Sequence, residues 1–449
     1  MNDIGTKVVT RFAPSPTGKF HVGGIRSALY NYLYARKHGG TYILRCEDTD
    51  PVRSKKEYEE YFLELFSWLG LEHDAYYRQS ERNDIYRRYM EKMIAEGKAY
   101  LSKEEPKEEG QRAEVIRFKN PNTKVAFHDE VLGDITFDTT ELGDFVIARG
   151  FDSPLYHLTV VIDDHEMGVT HIIRGQEHVS NTPRQILIQE AIGARRPIYA
   201  HASIVLNNER AKLSKRDPLV RPALEYRDDG YVPGALLNFM AFLGWNPGTE
   251  QEIFSLDDLI QAFSFDRMQK SGAVFNPEKL EWINKEYIKV LTPDEQLARI
   301  REYIPKEFTS LPGFSDEKLR RLAPGLIERI GHFGELQTLG AEGELTYYFE
   351  QPNYQKEKLF WKDERDEGKL RERLLRVHEL IAKIDVGDFT ATTVKDALWD
   401  YASQEGRGQV LWPTRFALSG RDKSPDPFQL AEILGKEETL LRIDRAAAM

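Results

Sequence analysis

Two apolar runs and the helical stretch between them set the first limit on the fold. Val8 and Val9 read as a strand, Ile25, Leu29, Tyr32, Leu33 and Arg36 follow helical spacing up to Gly39 and Gly40, and residues 41–46 form a second apolar run. A helix of this length between two short strands is the spacing of a right-handed parallel crossover, so a doubly wound α/β sheet is expected for the N-terminal part. The turn ahead of the helix, residues 11–24 (RFAPSPTGKFHVGG), carries Pro14 and Pro16 to fix the backbone. Gly18, Gly23 and Gly24 allow close approach to the free N–H groups of the helix start. Such a corner binds an anion, and a nucleotide is the expected ligand.

The chain continues in the same manner and then changes. Glu47-Asp48-Thr49-Asp50 follows the second strand at the sheet edge where ligands bind in such folds. Ser54-Lys55-Lys56-Glu57 predicts a capping box for a helix carrying Phe62, Leu65, Phe66 and Leu69 to a Gly70 stop, and residues 81–97 predict another helix. From about residue 98 to 150, short apolar runs at 115–118, 125–127, 135–137 and 145–148 predict a β-rich insertion, with the charged run at 103–112 as a solvated loop. Parallel-sheet strands are expected to resume at 160–162 and 172–173. A helix capped by Asn181, with Pro183 in its first turn, follows, and then a strand over 198–205. Later helix starts are read at Pro233, Ser255, Asn276-Pro277, Pro293 and Ser315, and the last part of the chain reads as helical.

Composition narrows the class. A chain of 449 residues exceeds one ordinary core, so roughly two to four domains are expected. The net charge of −11 argues against a generic nucleic-acid binder but leaves room for a selective one that uses local basic patches. The single cysteine, Cys46, excludes an intrachain disulfide and a zinc site built on several thiolates. No apolar run approaches membrane-spanning length and the MNDIGTKVV start lacks a signal-peptide pattern, so a cytoplasmic location is expected.

Two further elements bear on chemistry. His21 stands between a glycine-rich turn and a helix start, where an imidazole can reach phosphate oxygens; a structural histidine is the alternative. Lys212-Leu213-Ser214-Lys215-Arg216 (KLSKR) is either solvated surface or a lysine clamp on a polyphosphate. Taken in succession, RFAPSPTGKFHVGG, EDTD at 47–50, RGQEHVSNTPRQ at 174–185 and KLSKR closely resemble the motifs of bacterial glutamyl-tRNA synthetase, a class I aminoacyl-tRNA synthetase. The resemblance runs along nearly the full chain, including LWPTRFALSG at 411–420 and ILGKEETLLRI at 433–443.

The resemblance implies a Rossmann-like α/β catalytic domain with a parallel sheet (1–97 and 154–211) split by a β-rich acceptor-end insertion (98–153). The KMSKS-type loop with a helical linking domain (212–291) and an all-helical anticodon-binding region (292–370 and 371–449) follow. It implies ATP-dependent activation of L-glutamate and transfer to the 2′-hydroxyl of the terminal adenosine of tRNA for glutamate, with tRNA for glutamine as a second candidate acceptor. ATP with Mg²⁺, a monomeric state and no membrane association go with it. The ATP site it implies comprises Pro14, Ser15, Pro16, Thr17, Gly18, His21, Gly23, Gly24, Glu177, His178, Lys212, Leu213, Ser214, Lys215 and Arg216, with His21, Lys212 and Lys215 as catalytic groups. Gly24 takes the fourth HIGH position, where histidine stands in other branches, which shifts phosphate stabilisation toward His21, the backbone and the lysines. Arg11, Ser15, Glu47, Tyr156 and Arg174 match the glutamate-binding positions, and Arg329 falls near an arginine that inspects the anticodon.

The chemistry agrees with those residue types. A dicarboxylic amino acid needs cations for its carboxylates and an anion or polar acceptors for its ammonium, and arginine forks suit carboxylates best. Glutamine would leave one arginine charge unpaired, a penalty of roughly 1–3 kcal/mol or more. The first step demands no general base, because the carboxylate is already ionised at neutral pH. Residues 98–114 contain no cysteine and the segment looks shortened, so no zinc is expected there. A truncated paralogue that glutamylates a modified tRNA base lacks the long helical tail seen here, and glutaminyl-tRNA synthetase carries β-barrels in its place. A non-catalytic RNA-binding relative would not need His21, Lys215, Arg11 and Arg174 intact.

Overall fold

The crossover forms where the spacing places it. In the computed structural model, which describes residues 7–104, 114–213 and 221–449, β1 (Val9–Phe12) leads through the proline turn into α1 (Val22–Lys37) and on to β2 (Thr41–Cys46). β2 pairs with β1 in parallel, from Val9 opposite Thr41 to Phe12 opposite Leu44. After α2 (Lys56–Leu69), β3 (Ala75–Arg78) pairs in parallel with β2, and α3 (Asn83–Ala95) follows. The loop call at 103–112 falls largely on residues outside the described ones, as do Ser214, Lys215 and Arg216.

The β-rich region consists of β4 (Ala99–Lys103), β5 (Glu114–Phe118), β6 (Lys124–Asp129), β7 (Gly133–Asp138) and β8 (Phe145–Ala148). β4, β5 and β8 make an antiparallel sheet, whereas the β6–β7 hairpin belongs elsewhere. α4 (Tyr156–Glu166), β9 (His171–Gly175), α5 (Thr182–Ile192) and β10 (Ile198–Ala202) return to the parallel pattern, and β6 pairs in parallel with β10 to give the order β7-β6-β10-β9. The Thr170 amide donates to the Val9 carbonyl at 2.9 Å, which sets β9 beside β1. The carboxyl ends of β1, β2, β6, β9 and β10 therefore face one edge, and Arg11, Cys46, Asp129, Arg174 and His201 stand at or next to those ends.

The remainder of this unit is mainly helical. β11 (Val205–Leu206) pairs in parallel with β12 (Ala273–Val274), between which lie α6 (Leu224–Asp228), α7 (Pro233–Phe242) and α8 (Leu256–Ala262); α9 (Pro277–Val290) follows. α1 packs on β1 and β2 and also on α7 and α8, so Ala28, Leu29, Tyr30 and Leu33 are wholly buried and the helix has no water-facing stripe. Polar ties replace part of that apolar surface: Asn31 Nδ2 donates to the Ile173 carbonyl at 2.9 Å, fixing α1 to β9.

Four local readings are corrected. Residues 160–162 are helical, inside α4, because this helix is enclosed on several sides and its apolar run has no period to separate it from a buried strand. Ser54 builds no capping box: α2 begins at Lys56, and the backbone before it is held by Lys55 N–H on the Pro16 carbonyl (2.9 Å) and Ser54 N–H on the Asp50 carbonyl (2.9 Å). Asn181 precedes α5 with Pro183 in the first turn, but its side chain points to His178 Nδ1 at 3.2 Å and caps nothing. The strand read over 198–205 is divided, since β10 stops at Ala202 and β11 begins at Val205. Helix starts at Pro233, Ser255, Pro277, Pro293 and Ser315 stand as read, and Ser255 with Asp258 and Thr292 with Glu295 form reciprocal capping boxes.

The described chain divides into one unit up to Tyr287 and a second, Ile288–Met449. The second unit contains helices and turns throughout. Arg442 is 2 % exposed there and donates to the carbonyls of Tyr347 (2.6 Å), Leu418 (2.6 Å) and Glu350 (3.0 Å), closing backbone groups that the helix ends leave open. No helix among the described residues is long and apolar enough to cross a membrane.

Candidate active site

Two adjoining regions form at the carboxyl edge of the sheet. The first is a charge cluster. Arg11, 4 % exposed, donates Nε to Asp164 Oδ1 at 3.1 Å; Arg45, fully buried, donates to the same oxygen at 2.7 Å and to Glu47 at 3.3 Å. Behind them Asp163 accepts from Gln79 (2.8 Å), Arg82 (2.7 Å) and Tyr86 (2.8 Å). The Arg11, Arg45 and Arg82 charges balance those of Glu47, Asp163 and Asp164, which is the condition for keeping such groups out of water. Burial works to raise the Asp164 carboxyl, but Arg11 and Arg45 outweigh it and hold it below the usual carboxylate range. Burial prevails at Glu47, whose carboxyl is pushed up in spite of Arg45 and Arg11. The Glu47 amide donates to the Pro14 carbonyl at 2.9 Å, so the proline turn and the second strand end are tied together.

Arg174 stands across from this cluster and has less compensation. Its Nε donates to His201 Nε2 at 3.1 Å and its Nη2 to Thr182 Oγ1 at 2.8 Å, while its buried Nη1 has no hydrogen-bond partner among the described residues. Burial, and to a lesser degree the Arg11 charge, press its guanidinium below the ordinary arginine value. Tyr156, at the start of α4, senses the charges of Glu47, Arg174 and Arg11, and burial raises its phenol. Two guanidiniums that repel each other, one with an unused donor, make surroundings complementary to a carboxylate.

The second region is a cleft of about 440 Å³ lined by Pro14, Ser15, Thr17, Gly18, His21, Gly23, Gly24, Glu177, Lys212 and Leu213. His21 precedes the first turn of α1, and the Gly24 amide closes on its carbonyl at 3.0 Å. A β-carbon at Gly23 would meet nothing within 4 Å, whereas one at Gly24 would lie 2.3 Å from the Phe20 ring. Phe20 is restrained by Phe12 and Phe66, which pack edge-on against it at centroid distances of 5.9 and 5.5 Å, so moving it costs packing. That packing gives the fourth position of the turn a reason to be glycine. Glu177 folds back over Gly175, where a β-carbon would lie 2.3 Å from its carboxylate. Lys212 is brought in by a tight return: Leu213 N–H donates to the Val205 carbonyl and Asn207 N–H to the Ala211 carbonyl.

Most of the sequence-read residues meet in these two regions, with exceptions. Pro16 does not line the cleft; its carbonyl holds Lys55 instead. His178 stands beside Tyr156, with ring centroids 6.3 Å apart, on the side of Arg174 rather than in the cleft. Arg329, outside this unit, pairs with Glu344 in the second one. Sequence reasoning missed Arg45, Asp163, Asp164, Asp129 and His201, and also Lys19, Arg26, Ser27, Ile204 and Val205 of the cleft wall. Arg26 is 3 % exposed and donates to the carbonyls of Leu243 (2.8 Å) and Ser203, a role that spacing along the chain cannot reveal.

The comparisons with known proteins bear on the whole length. The family model for the catalytic domain of class I tRNA synthetases (E and Q) matches residues 7–114 and 101–282, and an anticodon binding domain model matches residues 295–447. The glutamate–tRNA ligases of Oleidesulfovibrio alaskensis and Thermodesulfovibrio yellowstonii are 39% and 40% identical, over 99% and 98% of this chain and 100% and 99% of their own. The chain belongs to the class I glutamate–tRNA ligase family. A crystal structure of a glutamate tRNA ligase from Elizabethkingia meningosepticum, in complex with its amino acid, matches 99% of this chain and 100% of its own with a TM-score of 0.86 at 33% identity. This family is one of ATP-using ligases, and the α/β fold with a helical C-terminal region described above is the family's.

Two expected results follow from this geometry. Gly24→Ala in this ligase-family fold forces either α1 or the Phe20 ring to shift, costing about 1–3 kcal/mol and raising the KM for ATP. A second change, Phe20→Leu, restores both, and an unrestored double variant would mean that the methyl group acts elsewhere. The second result concerns pH. Burial first, and neighbouring positive charges second, lower His157, His171 and His178 from 6.5 to about 4. A histidine depressed in the folded state contributes stability present above its unfolded value and lost as pH falls toward the folded one. Stability of the first unit therefore declines between pH 6.5 and about 4, by on the order of 1–3 kcal/mol per buried histidine. Urea midpoints across that range check this, and His171→Gln flattens the decline.

Proposed function

We propose that this chain joins L-glutamate to tRNA for glutamate in two steps at the carboxyl edge of its sheet. The buried Nη1 of Arg174, without a hydrogen-bond partner among the described residues and within the electrostatic reach of Arg11, is the observation that supports the amino acid site most directly. Arg11 and Arg174 take the carboxylates, Tyr156 assists at the side chain, and Ser15 and Glu47 take the ammonium. ATP lies in the adjoining cleft with its phosphates on the turn from Pro14 through His21 to Gly24. Lys212 lines the same cleft, and by resemblance Ser214, Lys215 and Arg216 belong to the segment that holds ATP. The α-carboxylate attacks the α-phosphorus, pyrophosphate leaves, and the tRNA 2′-hydroxyl then attacks the adenylate carbonyl with release of AMP. No side chain has to remove a proton in the first step, so catalysis is orientation and electrostatic stabilisation by His21 and the lysines.

Among the described residues no group of three or more His, Cys, Asp or Glu side chains stands where it could hold a metal ion. Mg²⁺ is proposed to enter on the phosphates of ATP, and, because the only cysteine is Cys46, elemental analysis of the purified chain is expected to find no stoichiometric zinc. Residues 98–153 are proposed to meet the acceptor end, and 292–370 and 371–449 the anticodon, with Arg329 as a contact. A cytoplasmic monomer completes the proposal.

Aminoacylation of purified tRNA for glutamate and for glutamine, with glutamate and ATP, tests it. Charging of the first is expected; charging of both would mark a non-discriminating ligase, and charging of neither would remove the reading.

A further inference from the structure

His201 and Asp129 lie outside every assignment made so far, yet both touch the machinery around Arg174. His201 is fully buried on β10, directly opposite Arg174 in the register of β9. Asp129, 1 % exposed, is the last residue of β6. Its Oδ2 stands 2.5 Å from His201 Nδ1, while its Oδ1 accepts the backbone amides of Val131 (3.0 Å), Leu132 (2.9 Å) and His201 (3.3 Å). On its far side His201 presents Nε2 to Arg174 Nε at 3.1 Å.

These contacts leave one consistent placement of protons. A guanidinium Nε always donates, so His201 Nε2 must be a bare acceptor and Nδ1 must carry the hydrogen, which it gives to Asp129. We propose that Asp129 and His201 are positioning residues that hold Arg174 in its glutamate-binding orientation by locking the His201 tautomer. With Nε committed to His201 and Nη2 to Thr182, the guanidinium plane is fixed and Nη1 is the donor left for a carboxylate. Burial, outweighing the Asp129 hydrogen bond, keeps His201 below the ordinary histidine value, and hydrogen bonds from His201 and the two loop amides, outweighing burial, keep Asp129 ionised. The proposal rests on the assignment of Arg174 to glutamate.

Asp129→Asn separates this from a merely structural role. The amides of Val131, Leu132 and His201 need an oxygen at the Oδ1 position, so the new NH₂ group must face His201 Nδ1. The imidazole is then driven to the other tautomer and turns an N–H against Arg174 Nε. Volume and packing are unchanged. In aminoacylation assays of the full chain with tRNA for glutamate, the KM for glutamate is expected to rise roughly 10- to 100-fold, the value of a lost hydrogen bond to a charged group. The KM for ATP should stay within about threefold, as the change leaves that cleft alone. His201→Gln, which keeps one donor and one acceptor, is expected to lie between this variant and the parent. A glutamate KM within about twofold of the parent, or equal rises for glutamate and ATP, would overturn the proposal. If Asp129→Asn loses its thermal transition, His201→Phe, which keeps the ring on Tyr199 but accepts nothing, is read by the same criteria. Arg174→Ala runs beside them: an unchanged glutamate KM there would sink the assignment of Arg174, whereas a rise there with none in Asp129→Asn would sink the tautomer lock alone.

Discussion

Arg11→Ala is expected to lower kcat/KM for glutamate by about 10²- to 10⁴-fold while leaving the KM for ATP within about twofold. Removing one partner of a buried, hydrogen-bonded charge pair costs roughly 3–5 kcal/mol when the other partner is left behind, and in the proposed site that other partner is the substrate carboxylate. The scaffold itself loses less, because Asp164 keeps Arg45 at 2.7 Å after Arg11 is gone. Arg11→Lys is expected to recover only part of the loss: an ammonium cannot hold Asp164 Oδ1 and a carboxylate in one plane as the guanidinium does. Steady-state kinetics with each substrate varied in turn checks the split. Equal rises in both KM values would mean that Arg11 supports the fold rather than the amino acid.

The second large effect is on stability. Asp163→Ala strips the acceptor from Gln79, Arg82 and Tyr86 and removes the counter-charge lying 3.8 Å from Arg45 Nε, and of these groups Gln79, Tyr86, Arg45 and Asp163 itself are buried. Leaving the buried Arg45 and the partly buried Arg82 short of an anion costs about 3–5 kcal/mol. The loss belongs to the first unit, so its urea transition moves to lower denaturant while that of residues 288–449 stays in place. A loss below about 1 kcal/mol would show that water reaches the cluster and supplies the missing partner.

Local pattern carried the fold a long way. The β1–α1–β2 crossover, the strands at 115–118 and 135–137, and the helix starts at Ser255 and Ser315 are written in period, turn residues and caps, all of which act over a few neighbours. The run at 160–162 was misleading because an enclosed helix and a buried strand have the same apolar content. Arg11, Glu47 and Arg174 were found through motifs, and the structure brings them to one edge. The groups that orient them were illegible for a physical reason: Asp164 meets Arg11 across 153 positions and Arg45 across 119, and Asp129 meets His201 across 72. Nothing at an isolated aspartate in a helix or at a strand end announces which distant cation it will serve.

The placement of β6 bears on how this chain could be taken apart. Residues 98–153 look like a cassette dropped between two halves of a sheet, yet Val125 and Phe127 share one core with Leu158, Ile186 and Tyr199, and β6 is itself a strand of the parallel sheet. Excising the cassette would open a raw sheet edge at β10 and take Asp129 with it. Chimeras between relatives should therefore be joined at the turns around 119–123 and 139–144, so that the hairpin stays with its host. The structural border in this chain runs through the insertion, not around it.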